Sequence, residues 1–385
     1  MDRQFDIIVY GATGFTGRLV VEYLAGRNHG QPWAIAGRDG GRLSSLAAEV
    51  GLPDLPIIVA DADDRPALDR LARQTRLVLA TAGPFFLYGS TLVEMCASAG
   101  TDYVNISGEP LWAREMIDAH TAAAERSGAR FLLSSGYDSI PTELGVLELQ
   151  ALAIERLGAP LSHVAGRCRS FNGTLSGGTI ASGRAAAEMA KDPDVRARMI
   201  DPFLLTPGFA GVRQPASHRV VHDAVLDVWL APFMMAPINS KNLHRSNMLL
   251  GHLYGKGFTY DEMMIVGAGE DGRIEAERSA KLDYTQTANA PKPGEGPSRE
   301  DRENGDWEML YYGLGPLGEP LAISVKGDHD PGYGSTSKMV SETALLLLDS
   351  PPSKGGFYTP GAVLGHELTR QLVTFAGVEF RNETL

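Results

Sequence analysis

Cysteine is nearly missing from this sequence: Cys96 and Cys168 are the only two among 385 residues. Two thiols exclude a disulfide framework and a cysteine-built zinc centre. Neither HExxH nor the nucleophile elbow GxSxG occurs, so metal-dependent hydrolysis and acyl-enzyme chemistry are poor candidates and no metal is expected. Positive charge is also scarce. With 35 Lys and Arg against 47 Asp and Glu, the net charge is -12, which argues against nucleic acid and against an anionic membrane surface, since both select basic partners. No apolar run is long enough to span a bilayer. The most apolar segment, residues 225–258, is interrupted by Pro232 and Pro237, so any lipid contact would be peripheral. The opening MDRQFDIIVY lacks a long apolar core behind a basic start, so no signal peptide is expected and the expected compartment is cytoplasmic. There is no internal repeat and no low-complexity tract. What remains is a globular composition, 43% hydrophobic and 21% charged, long enough for two domains or one domain with a large insertion.

Glycine is plentiful, and three glycines organise the first element. Residues 7–24, IIVYGATGFTGRLVVEYL, run from Ile7, Ile8 and Val9 into Gly11, Gly14 and Gly17, then into helical spacing through Leu19, Val20, Tyr23 and Leu24. Strand, tight turn and helix in that order predict a phosphate-binding loop. Glycine permits positive φ and close approach of the backbone to a ligand, and amides at a helix N-terminus face an anion. The spacing GxxGxxG is a relative of the dinucleotide fingerprint GxGxxG. Thr13 and Thr16 add hydroxyls, Phe15 lies between them, and Arg18 places a cation in the first helical turn. A merely structural turn is the alternative.

The strand–helix alternation continues and selects the cofactor. A second strand over residues 33–36 is followed by Gly37 and Arg38, where NAD-dependent proteins of this architecture carry an acid for the ribose hydroxyls. Glycine leaves room for a 2′-phosphate and a guanidinium binds it through two donors, so NADP(H) is favoured, with Arg42 one turn further on sharing the duty. Asp39 is the complication, because it too can face the ribose. The third strand, residues 55–61, ends at Asp61, placed either to meet the adenine amino group or to cap the next helix. A fourth strand over residues 76–80 runs into Thr81, Ala82, Gly83 and Pro84, which should pass under the ribose and nicotinamide because ligands lie beyond the carboxyl ends of such strands. A fifth strand (DYVNIS) and a sixth (ARFLLSS) complete the series. Helices between successive strands predict a parallel, doubly wound Rossmann-type sheet.

Beyond about residue 145 the alternation ends. The organisation expected is a dinucleotide-binding domain over residues 1–145 and an inserted α/β domain with a mixed sheet over 146–333. Two C-terminal helices within 334–385, the second capped by Thr359, then return to the first domain. HRVVH, KLDYTQT and LAISVKG are strands of the insertion, a helix starts near Thr179, and residues 290–304 form an exposed, mobile loop. Residues 225–258 line an apolar substrate tunnel, form a dimer contact, or are ordinary core.

These residues resemble the saccharopine dehydrogenase-like oxidoreductases, in the branch that includes the trans-acting enoyl reductases of lipid and polyketide assembly. The resemblance is carried by YGATGFTGRLV, AGRDGGRL, TAGPFFLYGSTLVEMCASAGTDYVNISGE and GYDSIPTELG, then by APFMMAPINSKNLHRSN, DPGYGSTSKM and GGFYTPGAVLG. Together these span nearly the whole chain. The resemblance implies a nicotinamide-dependent reductase with an inserted α/β domain. Substrates that join an amino acid to a keto acid need several cations for their carboxylates. The apolar segment favours instead reduction of an enoyl or keto group on a small-molecule or carrier-linked acyl substrate, in a chain that forms a homodimer. The alternatives are a saccharopine-type imine reductase and an NADP(H)-binding redox sensor without chemistry.

Reduction also needs a proton donor. Topology puts Tyr88, Tyr137, Asp138 and Ser139 nearest the nicotinamide. Tyr137 is the first choice for the acid, with packing as its alternative. Asp138 either orients a donor or caps the helix that begins near Pro141, and Glu109 caps the helix behind it. Lys241, His244 and Arg245 either contact a phosphopantetheine or carboxylate group or are surface charges.

Overall fold

The computed structural model describes residues 3–27, 29–283, 291–292, 294–351 and 353–385. Six strands alternate with helices in the first part of the chain: β1 (Phe5–Tyr10), β2 (Trp33–Gly37), β3 (Ile57–Val59), β4 (Thr75–Ala80), β5 (Asp102–Asn105) and β6 (Arg130–Leu132). A second group follows: β7 (His163–Asn172), β8 (Val221–Asp223), β9 (Val228–Pro232), β10 (Thr259–Gly267), β11 (Asp306–Leu314) and β12 (Pro320–Gly327). Near the end, β13 (Gly356–Tyr358) and β14 (Val378–Glu383) complete two seven-stranded sheets.

The first sheet has the order β13-β6-β5-β4-β1-β2-β3, and every pairing in it is parallel. It is the Rossmann-type doubly wound sheet expected, with one strand more than the six read from the sequence. Ile7, Ile8 and Val9 are fully buried because helices cover both faces, which is why β1 reads as a continuous apolar run. The strand order reverses between β1 and β4, so the crevice for a ligand opens at their carboxyl ends.

The second sheet, ordered β14-β12-β11-β7-β10-β9-β8, is mixed: β7 and β10 are parallel and the other pairs antiparallel. KLDYTQT is not a strand over residues 281–283, and the rest of it lies outside the described residues. Of the loop expected over 290–304, residues 290 and 293 also lie outside them, and Arg299–Glu303 is a short helix with Ser298 and Asp301 forming a capping box. The stretch GGFYTPG enters a helix at Pro360 with Thr359 at the N-cap position, as expected, and before it Gly356–Tyr358 adds β13 to the first sheet. Thr359 makes no side-chain cap there, and its hydroxyl meets Ser246 Oγ at 2.8 Å.

The helix Ile140–Leu157 leaves β6 and lies against the second sheet. A Cβ on Gly145 would stand 2.3 Å from Tyr311 Cε2, so only glycine admits that approach, and Thr142 Oγ1 donates to Glu262 Oε2 at 2.9 Å. One apolar cluster therefore joins Ile7 and Val9 of the first sheet to Trp307, Tyr311 and Val325 of the second. The central part of the segment 225–258 lies inside as β9 and the helix Ala236–Leu249, with exposed residues near both ends. Lys241, His244 and Arg245 are buried, which overturns their reading as surface charges. Lys241 Nζ donates to Pro237 O at 2.8 Å, and Arg245 donates to Leu205 O and Phe357 O at 2.6 Å each.

Candidate active site

The three loop glycines have different duties. Gly11 adopts φ +84°, and a Cβ there would lie 2.6 Å from Ala82 N. A Cβ on Gly17 would lie 2.2 Å from Gly11 O and 2.7 Å from Thr81 Oγ1. These two let the loop, β4 and the helix Phe15–Arg27 close on one another, whereas Gly14 is exposed and faces outward. The first-turn amides of Phe15–Arg27 have no carbonyl to pair with inside the helix, and that turn holds no acidic residue. Thr13, Phe15 and Thr16 are half-buried around it. Uncancelled amides at a positive helix end beside an open glycine fit a diphosphate. Arg18 is not part of that set, since Glu49 holds it.

At the end of β2, Arg38 is exposed and makes no hydrogen bond or ion pair among the described residues. Asp39 is occupied: its Oδ1 accepts from Arg42 N at 3.0 Å and caps the helix Gly40–Glu49. The Arg42 guanidinium donates to Thr13 O at 3.3 Å, tying the two cofactor loops together. A free guanidinium beside a capped acid fits a 2′-phosphate. Asp61 does not cap the following helix, because Asp64 does so through Ala67 N at 3.0 Å. Asp61 instead accepts from Asp63 N at 3.1 Å and stays exposed beyond β3.

Thr81 Oγ1 donates to the carbonyls of Tyr10 and Gly11, each at 3.2 Å, and latches β4 to the glycine loop. Ala82, Gly83 and Pro84 follow on the same edge and lead into the short helix Phe85–Tyr88. Glu109 caps that helix rather than its own: Oε1 and Oε2 accept from Phe85 N and Phe86 N at 2.9 and 2.8 Å. Burial holds the Glu109 carboxyl above its ordinary range, and the two amides pull the other way. Tyr88, at the far end of the helix, is exposed and makes no hydrogen bond among the described residues.

The Tyr137–Asp138 loop is set by residues that sequence reasoning passed over. Asn105 Oδ1 accepts from Ser107 N and Ser134 N at 3.2 Å each, and Ser134, at φ +59°, donates to Ser107 O at 2.6 Å. From the C-terminal helix Thr336–Asp349, Thr336 Oγ1 accepts from Tyr137 N at 3.0 Å. No spacing rule points to such long-range ties. They hold Tyr137 inward, its ring edge-on to Trp307 at 5.1 Å and Phe171 at 5.5 Å. Its hydroxyl is buried without a partner among the described residues, and burial raises its pKa well above the ordinary tyrosine value. Asp138 is different. It is half-buried and makes no hydrogen bond among the described residues, and it does not cap the next helix, whose cap position is Ser139. A Cβ on Gly108 would lie 3.0 Å from Asp138 Oδ2, which places the carboxyl against the loop after β5. Burial first, and the Glu262 carboxylate second, push its pKa up to about 7.

Comparison with known proteins gives the family of the chain and of its nucleotide-binding part. Residues 7–132 match the family model described as the saccharopine dehydrogenase NADP binding domain. A Mycobacterium tuberculosis protein provisionally named a trans-acting enoyl reductase is 35% identical, over 100% of this chain and 98% of its own length. A Mycobacterium bovis protein named trans-acting enoyl reductase is 32% identical, over 96% of each chain. Among solved structures, the apo saccharopine dehydrogenase (L-Glu forming) of Saccharomyces cerevisiae shares the fold, with a TM-score of 0.52, 12% identity and coverage of 99% of this chain and 100% of its own. With the glycine loop and the free Arg38 in place, the cofactor is NADP(H), and the chain belongs to the saccharopine dehydrogenase-like family of NAD(P)-dependent oxidoreductases, in the branch that contains the trans-acting enoyl reductases.

Proposed function

We propose that this NADPH-dependent oxidoreductase reduces the conjugated double bond of an enoyl thioester, small or carrier-linked, with Asp138 as the proton donor. The observation that carries the reading is the Asp138 carboxyl itself: without a hydrogen-bond partner among the described residues, half-buried, beside the carboxyl edge of the cofactor sheet, and pushed up to about 7. A group poised near neutrality is protonated often enough to give a proton and acidic enough to release it. Bound NADPH supplies the hydride for the β-carbon. Asp138 gives its proton to the α-carbon, so the double bond takes up one hydride and one proton, and the remaining carboxylate recovers a proton from solvent through its exposed side. Tyr137 has a packing role, because its ring lies in the apolar core and its hydroxyl is buried.

The surroundings favour an acyl chain over a polycarboxylate. Phe171 and Trp307 pack on Tyr137, and the charge that bears on Asp138 is the acid Glu262. Arginines of the second sheet are committed: Arg167 to Asp223 and Asp261 at 2.7 and 2.6 Å, Arg169 to Glu308 and Glu383 at 2.7 Å each. The names of the mycobacterial relatives support the same class. The test is NADPH oxidation with 2-enoyl thioesters, with 3-oxoacyl thioesters, and with an amino acid plus a 2-oxo acid. Turnover is expected with the enoyl thioesters. Oxidation driven only by the amino acid and oxo acid pair would sink the proposal.

A further inference from the structure

Phe15, in the middle of the glycine loop, is socketed in residues of the second half of the chain. Its ring meets Tyr333 edge-on at 5.0 Å, and a Cβ on Gly296 would lie 2.6 Å from it. The Arg302 guanidinium stands over the same ring, 5.6 Å from the centroid. Tyr333 is fixed by the helix Gly177–Met189, its hydroxyl within 2.8 Å of Thr179 Oγ1. The phosphate loop is thus roofed by a surface that carries a cation.

That cation has little else to do. Arg302 donates to Pro297 O at 2.7 Å and pairs with no carboxylate among the described residues. Asp330, close enough to feel its charge, spends its oxygens on Tyr333 N and Gly334 N at 3.0 and 2.6 Å. Nearby arginines are neutralised, Arg18 by Glu49 and Arg299 by Glu303 at 3.4 Å and Glu22 at 3.7 Å. Around the loop, Arg38, Arg42 and Arg302 pair with no carboxylate among the described residues. In a chain of net charge -12 such a residue of positive charge calls for an anion, and NADP(H) brings a 2′-phosphate and a diphosphate. Arg38 and Arg42 lie on the 2′-phosphate side, beyond β2. We propose that Arg302 is a ligand of the cofactor diphosphate, supplied across the crevice by the roof over Phe15.

The test is nucleotide binding and needs no acceptor substrate, so its outcome is independent of the enoyl reading. NADH lacks the 2′-phosphate and separates the two phosphate sites. Arg302→Met, which keeps an aliphatic stem against Phe15, is expected to weaken NADPH and NADH alike by roughly tenfold, as loss of a charge-assisted contact does, while Arg302→Lys recovers most of the affinity. Arg38→Ala is expected to weaken NADPH alone. Unchanged affinity in folded Arg302→Met, or a loss confined to NADPH, overturns the proposal. Wild-type protein gives an independent reading should that variant not fold. NADH is expected to shield Arg302, and not Arg38, from an arginine-selective dicarbonyl read by peptide mass spectrometry. Equal modification of Arg302 with and without NADH overturns the proposal as well.

Discussion

At the scale of the residue, a group's environment decides what it can do, and Asp138 is the sharpest case. If Asp138 is the proposed donor it must hold its proton, so kcat/KM for an enoyl thioester is expected to fall as pH rises through about 7, the value to which burial and Glu262 raise Asp138. Asp138→Asn should remove that limb and lower kcat by roughly a hundredfold, with NADPH affinity kept. A variant that retained the limb would reassign the acid. The glycines give a second prediction. Gly17→Ala drives a methyl into Gly11 O and Thr81 Oγ1, so the loop must open. Stability should drop by about 1–3 kcal/mol and NADPH affinity with it, read by thermal shift and titration. Gly14→Ala, on the exposed side with its Cβ 3.2 Å from Gly11 O, should cost less. The spacing of the glycines was legible in the sequence because a turn needs its residues in order. The surroundings of Tyr137 and Asp138 were not, because they depend on Trp307, Thr336 and Glu262, more than a hundred residues away in the chain.

Elements were legible where their chemistry is local. Alternating apolar strands and amphipathic helices gave β1 to β6 in order, since a strand covered on both faces advertises itself by composition. β13 escaped because its three residues are defined by pairing with β6, across the whole second sheet. The helix Ala236–Leu249 escaped for the opposite reason: a polar sequence that is buried on nearly every side, its Asn239, Asn242 and Arg245 side chains donating to Glu262, Ser139, Leu205 and Phe357 elsewhere in the chain. His244 shows what such burial does. Its ring lies 4.6 Å from Phe203, Nε2 has no partner among the described residues, and burial, with Lys241 nearby, pushes its pKa down to about 4. The unfolded chain takes up that proton near pH 6.5 and the folded chain refuses it until about pH 4. Stability is therefore intact above about pH 6.5 and is lost as pH falls through that window. His244→Phe should remove about 2 kcal/mol of the loss between pH 7.5 and 5, measured by urea unfolding at both values. Equal pH dependence in the two proteins would place the acid sensitivity elsewhere.

Over the whole molecule, the two sheets do not behave as separate bodies with a linker between them. The chain crosses from first sheet to second through Ile140–Leu157, returns in β13, and crosses again to β14. Glu342, buried on the helix Thr336–Asp349, accepts from Arg27 and Tyr23 of the first helix at 2.6 and 2.5 Å and from Gln371 of the last at 2.6 Å. Apolar residues from both sheets share one cluster, so loss of one sheet strips the shared face of the other. Calorimetry should show one unfolding transition with equal calorimetric and van't Hoff enthalpies, and NADPH should shift it as a unit, by about 2.7 kcal/mol at a hundred times its Kd. Two transitions, with only the first moved by NADPH, would mean that the shared core does not couple the sheets. In that case the roof over Phe15 could lift without disturbing the cofactor sheet beneath it. A single transition instead ties the position of Arg302 to the same folded state that shapes the glycine loop, as the proposed contact with the cofactor diphosphate requires.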